Sequence, residues 1–334
     1  MFDWAKNAVG LVDKHHGASA LHSVKGQTDE VPFTLTEKQD ERWNIISSTC
    51  LESKTFYMTT DTGRLALVQV QFTNVLSSAS NVKTTVQFGV KLFSDDSSEP
   101  HLWNLATVSD FSFPNDKYDF VSSQCAMKLS GDGKTYTVKS TVKNPDCTVD
   151  LKFTQMAPPF VVGKDGTTHF GDIKKPSGKM KHKFWPRSPT FSALSMEFTT
   201  PSSYDSTVVS VGCVAVDGKL ILANANSTAT HVITKHDPDS DLPEPKAITY
   251  TWSDKSDDGL EISAEIRAAF PEQRMDRIDV MDEMPKLLRG IVVGATGVQP
   301  FIYQNGPWAK IVVDNGGEIK EEEGRLYCEA IFIT

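Results

Sequence analysis

Through the body of this chain apolar and polar residues alternate in short runs, and that period of two constrains the fold more than any other feature. Such a period belongs to a strand with one dry face and one wet face. Val86, Phe88, Val90 and Leu92 form one run. Cys125, Met127 and Leu129 form a second, Gly131-Asp132-Gly133 turns the chain, and Tyr136, Val138 and Val142 run back. Val149, Leu151 and Phe153 follow. Asp-Gly between alternating runs predicts a hairpin. It recurs at Asp217-Gly218, between Val209-Val211-Cys213 and Leu220-Leu222. It recurs again at Asp258-Gly259, between Ile248-Tyr250-Trp252 and Leu260-Ile262-Ala264-Ile266. A last run, Leu326-Cys328-Ala330-Phe332, closes the chain. Beyond the N-terminus only Met281 to Leu288 looks weakly helical, and Pro285 interrupts it. The expected class is all-β, built as antiparallel barrels or sandwiches.

The N-terminus breaks this pattern. Met1 to His16 plots as a two-faced helix, with Phe2, Trp4, Ala5, Ala8, Val9, Leu11 and Val12 on one half of the wheel. Asp3, Lys6, Asn7, Gly10, Asp13 and Lys14 take the other half, and Gly17 follows as a stop. The segment is shorter than the roughly 20 apolar residues that a membrane span needs. It also lacks the basic start and cleavage site of a secretory signal. Two outcomes remain, docking on the protein body and lying in a membrane interface. The aromatic tip, Phe2 and Trp4, favours the interface. The membrane-binding residues are then Phe2, Trp4, Ala5, Val9, Leu11 and Val12. Asp3 and Asp13 cancel Lys6 and Lys14, so such binding rests on apolar insertion and is weak and reversible.

Composition removes several function classes. A net charge of −9 argues against a nucleic-acid partner, which calls for a basic stripe. The one basic run, Lys174-Lys175 through Lys179, Lys181 and Lys183, is read as a solvated loop. The five cysteines are an odd number, widely spread, with no C-x-x-C pair, as expected of reduced thiols in a cytosolic protein. No metal site or cofactor is expected. His236 to Asp241 hints at a calcium loop, but the sixth position from Asp237 is Leu242 and the twelfth is Ile248, so it reads as an acidic loop studded with proline. Gly290, Gly294 and Gly297 have the wrong spacing for a dinucleotide fingerprint. His15-His16 lacks a third ligand at a recognisable spacing. No G-x-S-x-G elbow is present, and no catalytic residue is assigned.

At 334 residues the chain has room for two domains. A boundary is expected in Asp165 to Pro189, which is rich in Gly, Lys and Pro. The expected parts are the helix at 1–16, an N-terminal domain at 17–178 and a C-terminal domain at 179–334. The same region carries a resemblance. Ala157 to Arg187 holds Ala157, Pro158 and Phe160, then Gly163, Asp165, Gly166, Thr168, Phe170 and Gly171, then Pro176, Gly178, Met180, His182, Phe184, Trp185, Pro186 and Arg187. This run closely resembles the junction motif of the fungal Survival factor 1 family. Leu287 to Asn305, Glu321-Glu322-Glu323-Gly324 and the Met-Phe-x-Trp start fit as well, so the resemblance spans nearly the whole chain. It departs at Ile221 to Pro245, where an aromatic segment containing His and Lys is expected.

The resemblance implies two lipocalin-like β-domains behind a membrane-binding helix. It also implies binding and transfer of ceramide-like sphingolipid between the endoplasmic reticulum and the Golgi, in support of survival under oxidative stress. The expected location is cytoplasmic, peripheral on those membranes, with a nuclear pool allowed. A carrier of this kind needs a dry cavity for many CH₂ groups and one or two partners for a small polar head. The aromatic candidates for its lining are Phe160, Phe170, Phe184, Trp185, Trp252, Phe301 and Tyr303, each set against ordinary core packing. The alternative is an isomerase- or hydratase-type enzyme acting on a hydrophobic small molecule in the same cavity, since a related architecture hosts such enzymes. His182, Arg187 and Asp165 or Asp172 could then serve as an acid–base set, or His182 and Arg187 could simply tie the linker to its surroundings.

Overall fold

A computed structural model describes residues 16–47, 50–60, 62–74, 84–94, 101–142, 147–186, 188, 190–256, 258–280, 282 and 300–333. The proposed membrane-binding residues Phe2 to Val12 and the weakly helical Met281 to Leu288 fall outside that set, apart from Asp282.

Strands dominate, as the alternation predicts. In chain order, β1 (Leu21–His22) and β2 (Phe33–Leu35) come first. Next are β3 (Cys50–Thr59), β4 (Leu65–Asn74), β5 (Thr85–Leu92) and β6 (Leu102–Val108). Then come β7 (Phe120–Val121), β8 (Cys125–Leu129), β9 (Thr135–Ser140) and β10 (Val149–Thr154). The central region gives β11 (Phe160–Val162), β12 (Thr167–Asp172) and β13 (Lys175–Lys181). After these lie β14 (Phe191–Thr199), β15 (Val208–Val216), β16 (Lys219–Asn224), β17 (Thr228–Asp237), β18 (Leu242–Lys255) and β19 (Glu261–Ala269). Last are β20 (Asp276–Asp279), β21 (Pro300–Asn305), β22 (Trp308–Asn315), β23 (Glu318–Arg325) and β24 (Cys328–Ile333). The pairings are antiparallel in every described ladder.

The expected hairpins form where Asp-Gly stands. Asp217 and Gly218 both take positive φ, 51° and 73°, as a two-residue turn between β15 and β16 requires. In β19, Ile262, Ala264, Ile266 and Ala268 are buried while Glu261, Ser263, Arg267 and Ala269 are exposed, a one-sided strand. β15 differs, since Val209 to Val216 are buried without a break. Both of its faces are covered. Val214 and Val216 join a core with Leu222, Trp252, Ile266 and Val313, while Val211 and Cys213 join another with Val24, Phe160 and Val162.

The chain divides into two compact units, but not at residue 178. Thr36–Gln155 forms one unit, and the other unites Met156–Thr334 with the chain up to Leu35. The inserted unit has two four-stranded sheets, β3-β4-β5-β6 and β10-β9-β8-β7. The split unit holds a five-stranded sheet β17-β18-β19-β22-β23, the three-stranded sheets β14-β15-β16, β20-β21-β24 and β1-β12-β13, and the pair β2-β11. Residues 17–35 belong with the C-terminal half because β1 pairs with β12 and β2 with β11, and Val24 is buried against Phe160 and Val162. The stretch read as a linker and solvated loop is largely a hairpin, β12–β13, with a bulge at Phe170/Gly171.

Candidate functional site

The aromatic residues proposed for a lipid lining all belong to the split unit, but they do not meet at one place. Phe160 is fully buried and stacks on Phe184, their backbones bonded in both directions, beside Phe33. Phe170 packs its edge against Tyr204, and Trp185 is half-buried. Phe301 and Tyr303 sit in a small cluster with Leu242 and Phe332. Trp252 alone lies in the main core between the five-stranded sheet and β14-β15-β16.

Partly buried apolar residues flank that core, as they flank the two smaller clusters. The centre of the main core is Val214, Leu222, Trp252, Ile262, Ile266 and Val313, and around it Phe191, Ala193, Ile221, Ala229, Tyr250, Ala309 and Leu326 are only partly buried. Strand parity explains the lining. Phe191, Ala193, Ser195 and Glu197 alternate onto one face of β14, opposite Val216, Val214, Gly212 and Ser210 on β15. Ile248, Tyr250 and Trp252 do the same on β18, opposite Ala268, Ile266 and Ala264 on β19. Trp252 joins the two sheets, its Nε1 donating to the Leu194 carbonyl at 2.9 Å. Near the Asp217-Gly218 turn a depression of about 210 Å³ opens on Val216, Ile221 and Val313, with Asp217 and Lys320 paired at 3.1 Å on its rim.

Along β14 the interior grades from apolar to polar. Phe191 and Ala193 lie toward the depression, and Ser195 and Glu197 lie beyond them. The Ser195 hydroxyl is buried with no hydrogen-bond partner. Ser210 and Ser227 hydroxyls bond each other at 2.7 Å. Burial pushes the Glu197 carboxyl above the usual carboxylate range, against the opposing pull of the Ala229 N–H that donates to it at 3.2 Å. Burial likewise raises the Tyr250 phenol, and the Cys328 sulfur that accepts its proton at 3.3 Å adds to the effect. This end offers an unpartnered hydroxyl and a carboxyl whose pKa burial raises. Such groups bind a neutral hydroxyl or amide, and a carboxyl with a raised pKa also suits proton transfer. Of these residues the sequence proposes only Trp252 for a lipid lining.

The interior of the inserted unit is packed instead. Phe56 stacks on Phe153 at 4.4 Å and meets Tyr136 edge-on, while Phe113 contacts Trp43, Phe72, Phe111 and Phe120. Three of its polar side chains bond one another. The Tyr136 hydroxyl donates to Glu41 Oε2 at 2.9 Å, and Lys54 Nζ reaches the Tyr136 oxygen at 2.8 Å and the Glu41 carbonyl at 2.5 Å. Trp43 Nε1 and Asn104 Oδ1 remain unpartnered.

The acid–base set considered around the linker does not assemble. Burial pushes the His182 imidazole down, its Nε2 is unpartnered, and among the described residues no hydrogen bond links it to Asp165 or Asp172. Burial raises Asp165, but the Thr167 N–H at 2.9 Å and the Gln27 amide at 3.1 Å outweigh it, so this carboxylate is held low as a turn cap. The backbone N–H of His182 donates to the Gly166 carbonyl and its ring stacks on Phe184, and Arg187 lies outside the described residues. Nor does Asp237 lie in the acidic, proline-studded loop expected of 236–241. It ends β17 with its side chain 2% exposed, accepting from Arg277 and Tyr303, both at 2.9 Å. Arg274 lies 3.7 Å from it and bonds Glu244 at 2.9 Å. Phe301 and Tyr303 pack under these guanidinium groups, which makes them the floor of an ion-pair cluster. Burial raises the thiols of Cys213 and Cys328 to about 12, so both stay protonated.

Together these features define an all-β protein of two sheet-built units, one of which has a buried apolar core flanked by partly buried apolar residues and a few polar groups. The chain belongs to the Svf1 family, whose model matches residues 2–190 and 187–334. It is 36% identical to ceramide-binding protein svf-1 of Neurospora crassa over the full length of both chains. It is 34% identical to ceramide-binding protein svf1 of Emericella nidulans, over 99% of this chain and all of that one. Among solved structures, an AttH protein of Nitrosomonas europaea matches 91% of this chain and 98% of its own, at 13% identity and a TM-score of 0.49.

Proposed function

We propose that this protein binds a ceramide-like sphingolipid inside the split unit and carries it between cytosolic membrane surfaces, without converting it. The observation that carries this reading is the belt of partly buried apolar residues, Phe191, Ala193, Ile221, Ala229, Tyr250, Ala309 and Leu326, packed around the buried core of the split unit, with a depression of about 210 Å³ opening at Val216, Ile221 and Val313. A lipid chain inserted there gains about 0.8 kcal/mol for each CH₂ removed from water. Its amide and hydroxyl head finds the unpartnered Ser195 hydroxyl and the Glu197 carboxyl at the polar end. The names of the full-length relatives support the ligand class. The amphipathic Met1–His16 supplies a weak, reversible membrane contact, and exchange between the endoplasmic reticulum and the Golgi in support of oxidative survival is the route this reading adopts.

Lipids extracted from the protein purified from its native cells, weighed by mass spectrometry, test the reading. A stoichiometric ceramide or related sphingoid mass is expected. An empty protein that also fails to take up added ceramide overturns it. The second reading, an enzyme on a hydrophobic small molecule, is favoured by one observation, a partly buried Glu197 whose pKa is raised, beside the unpartnered Ser195 hydroxyl. A co-purified lipid recovered chemically altered after incubation would establish that alternative.

A further inference from the structure

The basic run that sequence reading set aside as a loop has a definite structure. Residues 172–183 hold five lysines and one aspartate in a chain whose net charge is −9. They form the tip and outer strand of the β12–β13 hairpin. Residues directly opposite in a ladder share a face, so Lys179 lies beside His169, which in turn lies beside His22 on β1. Lys181 is two residues on, on that same face, and both lysines are exposed. Its acidic neighbours are few. Asp165 feels the Lys181 charge, and Asp172 accepts the backbone N–H of Lys174. The opposite face carries Phe170, packed on Tyr204. At the tip, Ile173 is 57% exposed with the exposed Lys174 beside it.

The described chain begins at this place, at His16. His16 and Gly17 donate their backbone N–H groups to the Ser203 carbonyl, at 2.7 and 3.1 Å, and Ala18 donates to Asp205. The His16 ring stacks on Tyr204 at 5.0 Å, and Tyr204 is the residue that packs on Phe170 of the hairpin. The amphipathic segment brings apolar residues with no net side-chain charge, while the hairpin brings charge and one exposed apolar side chain. Stable membrane association commonly takes two such signals, one apolar and one polybasic.

We propose that the β12–β13 hairpin is a second membrane contact, seating Ile173 in the interface and Lys174, Lys179 and Lys181 on anionic lipid headgroups beside the N-terminal segment. This rests on the reading of the protein as a membrane-visiting carrier. A lysine near an anionic surface is worth about fivefold in partition.

The test is flotation of the full chain with vesicles of phosphatidylcholine alone and with vesicles containing phosphatidylserine, at low and high salt. Binding should be stronger on the serine-containing vesicles, and high salt should erase the difference. The triple variant K174E/K179E/K181E should lose about tenfold or more of the serine-dependent binding while keeping the wild-type level on neutral vesicles. Ile173→Asp should weaken both, and circular dichroism should show each variant folded. Equal wild-type binding to the two vesicles, a triple variant with undiminished binding, or one that loses both equally overturns the proposal. A protein that carries ceramide yet shows no anionic preference loses this inference alone, while one without ceramide loses the function.

Discussion

Gly212 shows how little slack the split unit leaves beside its main core. A Cβ at this position would lie 2.5 Å from Trp252 Nε1 and 2.6 Å from Ser227 Oγ. Gly212→Ala therefore pushes Trp252 off the Leu194 carbonyl and separates the sheets, and it should lower unfolding free energy by about 1–3 kcal/mol in urea titration. An unchanged midpoint would mean that the Trp252 bond is dispensable. Trp252 was legible in the sequence because a large aromatic residue in an alternating run is a strong signal. Glu197 and Ser195 were not, although parity puts them on the face of Phe191 and Ala193. Parity sorts a strand into two faces, but only the partner sheet decides which face is enclosed.

At the scale of elements, the hairpins with Asp-Gly turns were readable because their signal is local. The β12–β13 hairpin was not. Its Gly, Pro and Lys content is that of a loop, and its pairing with Leu21–His22 depends on residues far away in the chain. The end of β17 was misread for a similar reason, since the arginines that neutralise Asp237 come from residues 274 and 277. Burial pushes the Asp237 carboxyl up, but the hydrogen bonds from Tyr303 and Arg277 prevail and hold it at about 2, below its ordinary 3.8. A depressed carboxylate stabilises the fold above its unfolded pKa, and that contribution is lost as pH falls through the folded value. For Asp237 it amounts to about 2 kcal/mol at neutral pH. Asp237→Asn should therefore be less stable than wild type at pH 7 by that order, and the gap should narrow as pH drops from 4 toward 2. A gap of constant size across that range would show that the ion pairs contribute nothing.

At the scale of the whole molecule, the all-β class was evident from the period of the sequence, while the division into units was not. The split unit is closed by β2 on β11, and Leu35 stands directly opposite Phe160. Antiparallel partners have Cα atoms about 5 Å apart. The points where Thr36–Gln155 leaves and rejoins the split unit are thus close together. Replacing those residues by a short Gly-Ser linker should leave a split unit that folds and melts cooperatively. A molten or aggregated product would show that the split unit does not fold without its insert.

The same interruption fixes an order of events during synthesis. The ribosome releases Thr36–Gln155 as one continuous stretch, which is free to fold on emergence. The strands β1 and β2 emerge earlier still, yet they stay without partners until β11 and β12 are made. The N-terminal segment consequently emerges before the half of the protein proposed to hold lipid exists. On the proposed function, a nascent chain can therefore meet a membrane while the site for its lipid is still unmade.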